Sequence, residues 1–287
     1  MTTARIYARA AGLAMAGPAA FLTAVVVLAP FCYVIYQSFI EKRSGAFSLA
    51  NFEWLIGPAF GPALWNSVVI TIGSVVLEVA IAVPLAIMLD QALAGRGMLR
   101  ALVTLPWAIP TIAVATAFLW LGNTNYGVIN QLGLATGAFA EPIAFLGEPG
   151  WATWTVIVAH AWKGLPLVFI IILSALQSLP HEIREAARVD GAGRWASFNH
   201  IILPHVLPSI GLAAVLSGIY NFALFDITYL LTGGGPSGRT TTLPLLLYNQ
   251  AFRGLDQGRA AAVGLVIFGA GVLALVVMQR LTRRARS

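Results

Sequence analysis

Six stretches of this chain are each long and apolar enough to cross a lipid bilayer as a helix. The hydrocarbon core is about 30 Å thick, which takes roughly 20 helical residues at 1.5 Å each. Stretches of that size cover residues 11–39, 63–89, 99–121, 151–176, 207–231 and 260–278. Of the 287 residues, 59% are hydrophobic and only 10% are charged, against about 25% charged in a soluble domain. That is too few charges to solvate a surface, so lipid must take the place of water around most of the chain. The pattern predicts an all-α membrane protein with six transmembrane helices, forming a single polytopic domain over 1–287. Arg5 and Arg9 ahead of the first stretch resemble a signal-peptide n-region. That stretch is much longer than a cleavable apolar region, and it reads as a retained first helix.

A net charge of +6 raises the question of nucleic acid, and the placement of the basic residues answers it. They stand singly or in pairs between apolar runs, as topology signals do, and form no nucleic-acid groove. With the N-terminus inside, the cytoplasmic connections and ends carry Arg5, Arg9, Arg96, Arg100, Arg184, Arg188, Arg194, Arg280, Arg283, Arg284 and Arg286. The outer connections carry Lys42, Arg43, Arg239, Arg253 and Arg259, and the connection 122–150 carries none. Since positive residues stay on the cytoplasmic side, both termini are expected there. Pro84, Pro106, Pro110 and Pro166 fall inside the runs, and each removes a backbone hydrogen bond, so kinked helices around some internal space are expected. Cys32, the lone cysteine, cannot form an intrachain disulfide and reads as a small packing residue.

The segment 180–204, between the fourth and fifth runs, holds the most specific pattern. Pro180 suits the first position of a helix, and Glu182 and Glu185 fall near its positive end. Asp190-Gly191 is a turn signal, because glycine accepts positive φ and aspartate can cap the backbone that follows. Trp195, Phe198, Ile201 and Ile202 then recur at helical spacing and lead into Pro204. A helix, a tight turn and a second helix are expected at the cytoplasmic face. Ala186, Ala187, Ala192 and Gly193 make part of that surface small enough for another protein's backbone to approach.

These residues resemble a known family. Glu185-Ala186-Ala187, Asp190-Gly191-Ala192 and Ile201-Ile202-Leu203-Pro204 are similar to the loop signature of binding-protein-dependent ABC importer permeases. The resemblance implies that the segment is a coupling helix inserted into a cleft on an ATPase subunit, with Glu185, Ala186, Ala187, Arg188, Asp190, Gly191 and Ala192 at the contact. A second motif follows the fifth run: Phe225-Asp226, then Leu231-Thr232-Gly233-Gly234-Gly235-Pro236, Thr241, Tyr248 and Ala251-Phe252. With Gly127 and Asn130 it looks like the outer loops of the first, maltose-type subunit of sugar and glycerol-phosphate importers. The first subunit of that family often carries extra N-terminal helices or a large outer domain, and this chain shows neither, so the simpler six-helix form is implied. It also implies a different second permease subunit, two ATPase subunits, an external solute-binding protein, and a place in the bacterial cytoplasmic (inner) membrane.

The chain's own chemistry agrees with an importer subunit that is not an enzyme. A phosphate-cradling loop needs G-x-x-x-x-G-K-[ST], and the only two lysines, Lys42 and Lys163, are followed by Arg43 and Gly164. ATP and Mg therefore belong to the partner ATPases, and this chain is expected to bind no cofactor. No G-x-S-x-G elbow occurs, His160, His181, His200 and His205 lack metal-ligand spacing, and neither a catalytic nor a metal site is expected. Glu78, Lys163 and Asp226 fall inside the runs, where ionisable groups are costly and face a bundle interior or water. With Asn66, Tyr220, Asn221 and Phe225 they are the candidates for a translocation path, though each also suits plain helix packing. In an ion-gradient carrier, Glu78 and Asp226 would hold protons or sodium, but the cytoplasmic hairpin would then have no purpose.

Overall fold

A computed structural model describes residues 17–91 and 93–284, with the side chains of Arg188 and 281–284 excepted. Arg5, Arg9, Arg283, Arg284, Arg286 and the start of the first predicted run have their side chains or whole residues outside this set. Among the described residues the only β feature is one bridge, Ile40 to Phe47, and helices make up the rest of the regular structure. They are α1 (Gly17–Ser38), α2 (Phe60–Asp90), α3 (Arg96–Ala108), α4 (Thr111–Leu121), α5 (Val128–Ala135) and α6 (Pro149–Gln177). Then come α7 (His181–Val189), α8 (Arg194–Ala223), α9 (Asp226–Leu231), α10 (Leu243–Tyr248) and α11 (Gln257–Arg284). Five of these are long and apolar enough to cross a membrane, and the pair α3 and α4 adds a sixth, broken span.

The break corrects the expectation of one kinked third helix over 99–121. The two pieces meet at 98°. Pro110 forces Ile109 out of the helical region, to ψ 130°, because the proline ring clashes with a helical predecessor. Pro84 and Pro166, by contrast, lie inside uninterrupted helices. The fifth span also differs from 207–231. It starts at Arg194, passes through a π turn at Phe198–Ile202 just ahead of Pro204, and ends at Ala223. Leu224 is extended at ψ 120°, and Asp226 opens a new helix, where a carboxylate meets the positive end of the dipole. Asp226 is therefore exposed at a helix start and not enclosed in mid-span.

The chain forms two compact units. The first consists of residues up to Gly57 together with Leu247–Val266. α1 is exposed over most of its described length, Cys32 included, with Ser38 buried at its end, so that cysteine is not the core residue expected. The turn after α1 is held by Asn51, whose Nδ2 donates to the Ser38 and Ile40 carbonyls at 3.0 and 2.9 Å. Two residues of the outer basic set have local structural work here. Lys42 Nζ donates to Gly254 O at 2.7 Å, and the Arg259 guanidinium lies 5.1 Å from the Trp54 ring centre.

The second unit consists of Pro58–Leu246 and Ile267–Ser287, with α2, α6 and α8 packed on one another at its centre. Lipid is as apolar as leucine, so close approach of backbones, not burial from water, holds such helices together. The sequence supplies that approach. A side chain at Gly73 would meet Ile157 Cδ1 at 2.8 Å, and one at Gly164 would overlap the Glu78 carboxylate. Ala82 and Ala86 of α2 and Ala213 of α8 pack with Phe169, Ile172 and Leu176 of α6. Toward the other end of α2, Ile70 joins Val114 and Ala115 of α4, Ile157 of α6 and Ile227 of α9 in a second cluster.

Candidate functional site

The hairpin after α6 is built as its residues demand. α7 ends in a left-handed residue, Gly191 at φ +76°, and Ala192 N donates back to Ala187 O at 2.9 Å. That six-to-one bond closes a helix when glycine occupies the left-handed position, where a Cβ would be strained. The next helix is entered through Gly193, and no side chain caps it, so Asp190 does not serve the capping role its position predicts. Glu185, Ala186, Val189, Asp190 and Gly191 are exposed, as are the apolar Ile183 and Trp195. Ala187 is not: it is buried within the chain, and Ala192 is half-buried. The small open surface is thus Ala186, Gly191 and Gly193, so of the four residues expected Ala186 and Gly193 are open and Ala187 is withdrawn. Arg188 lies within α7, and its side chain is outside the described set.

The hairpin is tied to the spans by polar contacts. Arg184 Nη1 donates to Asp90 Oδ2 at 2.6 Å, and Nη2 donates to Leu176 O at 2.7 Å. Nearby, Arg100 donates to Leu89 O through Nη2 at 2.6 Å, and His205 Nε2 lies 3.0 Å from Ala175 O. These groups add donors to carbonyls in the last turns of α2 and α6, where the negative end of each dipole lies.

In the middle of the unit, Glu78 of α2 is enclosed. Ser217 and Asn221 of α8 both donate to its carboxylate, Asn221 Nδ2 at 2.9 Å. Asn221 Nδ2 is also 3.0 Å from Ser217 Oγ, and His160 of α6 reaches Thr228 of α9 through Nε2 at 3.2 Å. Lys163 is enclosed as well, and it does not snorkel. Its three ammonium protons meet three carbonyls, of Pro106 at 3.1 Å, Trp107 at 3.2 Å and Ile109 at 2.5 Å. Pro110 has no N–H to give the Pro106 carbonyl four residues back. A lysine from the neighbouring helix replaces that donor at the negative end of α3.

At the opposite end of α2 the glycine-rich loop is strapped down. Asn66 Nδ2 donates to Gly238 O at 2.9 Å and Thr241 O at 3.0 Å, and Ser67 Oγ accepts from Leu243 N at 2.7 Å. Within the loop, Thr232 and Thr240 share a hydroxyl bond of 2.7 Å. Gly233 and Gly234 sit at φ +59° and +95°, and a Cβ on Gly234 would meet Thr241 Oγ1 at 2.5 Å. Gly235 and Pro236 complete the turn, with Thr240 Oγ1 donating to Gly235 O at 2.7 Å. Asn66→Ala is expected to remove about 1–2 kcal/mol of loop restraint. Tryptic cleavage after the exposed Arg239 should then speed up several-fold in the folded protein, and an unchanged rate would show that the strap is not needed.

Of the residues predicted to line a path, the structure gathers Glu78 and Asn221 into one knot and puts Lys163 and Asn66 to separate anchoring tasks. Tyr220 is exposed, and Phe225 stacks on Tyr229 with ring centres 5.0 Å apart. Sequence reasoning did not find Asp90, Ser217 or Thr228. Their partners lie 94, 139 and 68 residues away, beyond the reach of any local pattern.

α2 also fixes how the two ends of the unit relate. It meets the glycine-rich loop at Asn66 and the hairpin at Asp90, and those 24 residues of helix extend roughly 36 Å, more than the hydrocarbon thickness. Loop and hairpin thus stand at opposite ends of a helix long enough to cross the bilayer.

Comparison with known proteins places these features in a family context. Residues 79–287 match the family described as the binding-protein-dependent transport system inner membrane component. The trehalose/maltose transport system permease protein MalF of Thermococcus litoralis is 37% identical over 208 residues, covering 71% of this chain and 70% of that one. The sulfoquinovosyl glycerol transport system permease protein SmoG of Agrobacterium fabrum is 31% identical over 273 residues, with coverage of 93% and 88%. The fold matches a chain of a bacterial alginate ABC transporter, solved in complex with an alginate pentasaccharide-bound periplasmic protein. The TM-score is 0.86 at 22% identity, covering 99% of this chain and 97% of that one.

Proposed function

We propose, from the premise that this chain belongs to the family of binding-protein-dependent transport system inner membrane components, that it is the importer subunit through which a carbohydrate or related polyol crosses the membrane. The family assigns it transport and not catalysis, and a place in the inner membrane. The curated relatives support the cargo class, since both named above carry a sugar or a sugar-glycerol compound in their descriptions. An external solute-binding protein would dock on the face of the glycine-rich loop, and two ATPase subunits, which hold ATP and Mg, would dock on the hairpin. A second, different permease subunit would complete the path. Nothing in the comparisons favours a gradient-driven carrier. The exposed position of Asp226 at a helix start also takes one of the two in-span carboxylates on which that reading relied out of the span.

The observation that carries this reading is the hairpin. It is a glycine-closed helix with exposed Ala186 and Gly191 flanked by apolar Ile183, Val189 and Trp195, on the face opposite the loop. Small residues let a partner's backbone come close, and the apolar side chains give that partner something to bury. The excess of arginines at this face supports a cytoplasmic side for it and for both termini. Nucleotide-driven closure of the ATPases would move the docked hairpins and rotate the spans around a central cavity. Tyr220 and Phe225 are the residues we assign to the path, as stacking faces for a sugar ring.

The test uses the assembled importer in vesicles, with trehalose or maltose as first solutes. Uptake should require ATP and persist when ion gradients are collapsed. Ala186→Trp adds bulk to an exposed position and leaves the chain's own packing alone. It is expected to lower uptake at least tenfold and to release the ATPase subunits during purification, with membrane levels unchanged. Gly191→Pro, which cannot adopt positive φ, should do the same. Normal copurification of the ATPases with both variants would overturn the docking assignment.

A further inference from the structure

The hairpin is continuous in sequence with two of the three central helices. α6 leads into α7, and α7 leads through the Gly191 turn into α8, so a displacement of α7 reaches both of these through the backbone. α2 has no such connection. Among the contacts described here, what joins it to α7 is the Arg184 guanidinium, 94 residues away in sequence, which donates to Asp90 on the last turn of α2. The same guanidinium donates to Leu176 O at the end of α6, so one planar group clamps three helix ends.

α2 is also the helix with the longest reach in the unit. Starting from Asp90 it carries Glu78, which is bonded to α8, and then Asn66 and Ser67, which hold the glycine-rich loop on the opposite face. We infer that the Arg184–Asp90 pair is a strut that makes α2 the push-rod between the ATPase face and the loop face, adding a direct link from the hairpin to the packing of α2 on α6 and α8, so that hairpin movement resets the loop in full only while this pair is closed. The geometry suits a strut. A charge-assisted bond of 2.6 Å with side chains 27% and 11% exposed is shorter and better shielded than a surface ion pair, and a guanidinium held on both nitrogens resists rotation. Arg184 and Asp90 are positioning residues in this scheme, and neither needs to touch solute or nucleotide.

The inference rests on the hairpin being the ATPase dock, and the experiment separates the two. Asp90→Ala, Arg184→Ala and the double variant are placed in the complete importer. Three quantities are measured: ATPase copurification, ATP hydrolysis, and ATP consumed per solute imported. Copurification should stay at the wild-type level, because the docking surface is intact. ATP consumed per solute should rise about tenfold in each single variant, and by the same factor in the double, since one link cannot be broken twice. Loss of a merely structural contact would lower the amount of folded importer without changing that ratio. If either alanine variant fails to accumulate, Asp90→Asn and Arg184→Lys replace the pair and are read in the same way. A ratio within twofold of wild type in both single variants, or effects that multiply in the double, overturns the strut. Failure of the unmodified chain to retain the ATPases would instead overturn the docking assignment beneath it.

Discussion

Gly164→Val should be among the most damaging single substitutions in the chain. Gly164 is where α6 passes closest to the Glu78 carboxylate, and the first atom of any side chain there would overlap Glu78 Oε1. The carboxylate has no spare room, because Ser217 and Asn221 hold it from the α8 side. Either α6 moves away from α2 along their whole contact, or Glu78 swings out and leaves a buried carboxyl group without its donors. Forcing bulk into a packed core costs about 1–3 kcal/mol, and an unpaired buried polar group adds a similar amount. The apparent unfolding midpoint of the detergent-purified protein should fall by on the order of 10 °C. Gly164→Ala should show a smaller loss, and Glu78→Ala combined with Gly164→Ala should recover part of it by vacating the space. If Gly164→Val melts with the wild type, the two helices are not in contact there.

Lys163→Met is expected to rival it, for a different reason. The methionine keeps much of the length and apolar stem, but it has no proton to donate. The carbonyls of Pro106, Trp107 and Ile109 would all lose their partner at once. No water is available in the hydrocarbon region to replace it, so each orphaned carbonyl costs about 1–3 kcal/mol. Even if the elbow relaxes to recover some of these bonds, a net loss of about 3 kcal/mol is expected. That again lowers the midpoint by on the order of 10 °C. A second reading is more specific. The orientation of α4 depends on the elbow, so cysteines placed on α4 and α9, which pack together at Ala115 and Ile227, should cross-link less readily in Lys163→Met than in the parent. Unchanged cross-linking with unchanged stability would mean that Pro106 and Pro110 shape the elbow without help.

These two positions show how legible the chain was. Lys163 stood out in the sequence as a charge inside an apolar run, and Pro106 and Pro110 stood out as helix breakers some 50 residues earlier. Each was read separately, as a path candidate and as a kink. The structure reveals them as one device, because the lysine caps the carbonyls that the proline frees. Gly164 had no local signal at all, since a glycine in a membrane helix is ordinary until the facing residue is known. Glu78 and Asn221 were singled out together as path candidates, and they do meet, though in an enclosed knot with Ser217. Asn66 proved to be the strap of the glycine-rich loop, a task invisible from its own neighbours in sequence.

What the sequence by itself determined is what depends on residues near one another along the chain. Runs of about 20 apolar residues must become helices in lipid, because the backbone has no other way to satisfy its hydrogen bonds there. The Asp190-Gly191 pair had to close a helix, because glycine alone takes the left-handed conformation without strain. The resemblance to a transport family was likewise carried by contiguous motifs. Tertiary structure alone decided the anchoring of the Pro110 elbow by Lys163, and the pairing of Asp90 with Arg184 and of Glu78 with Ser217. In each case the deciding partner sits on a helix far off in sequence. Between apolar helices in lipid, the close contacts and polar bonds that select one packing exist only once the helices have met.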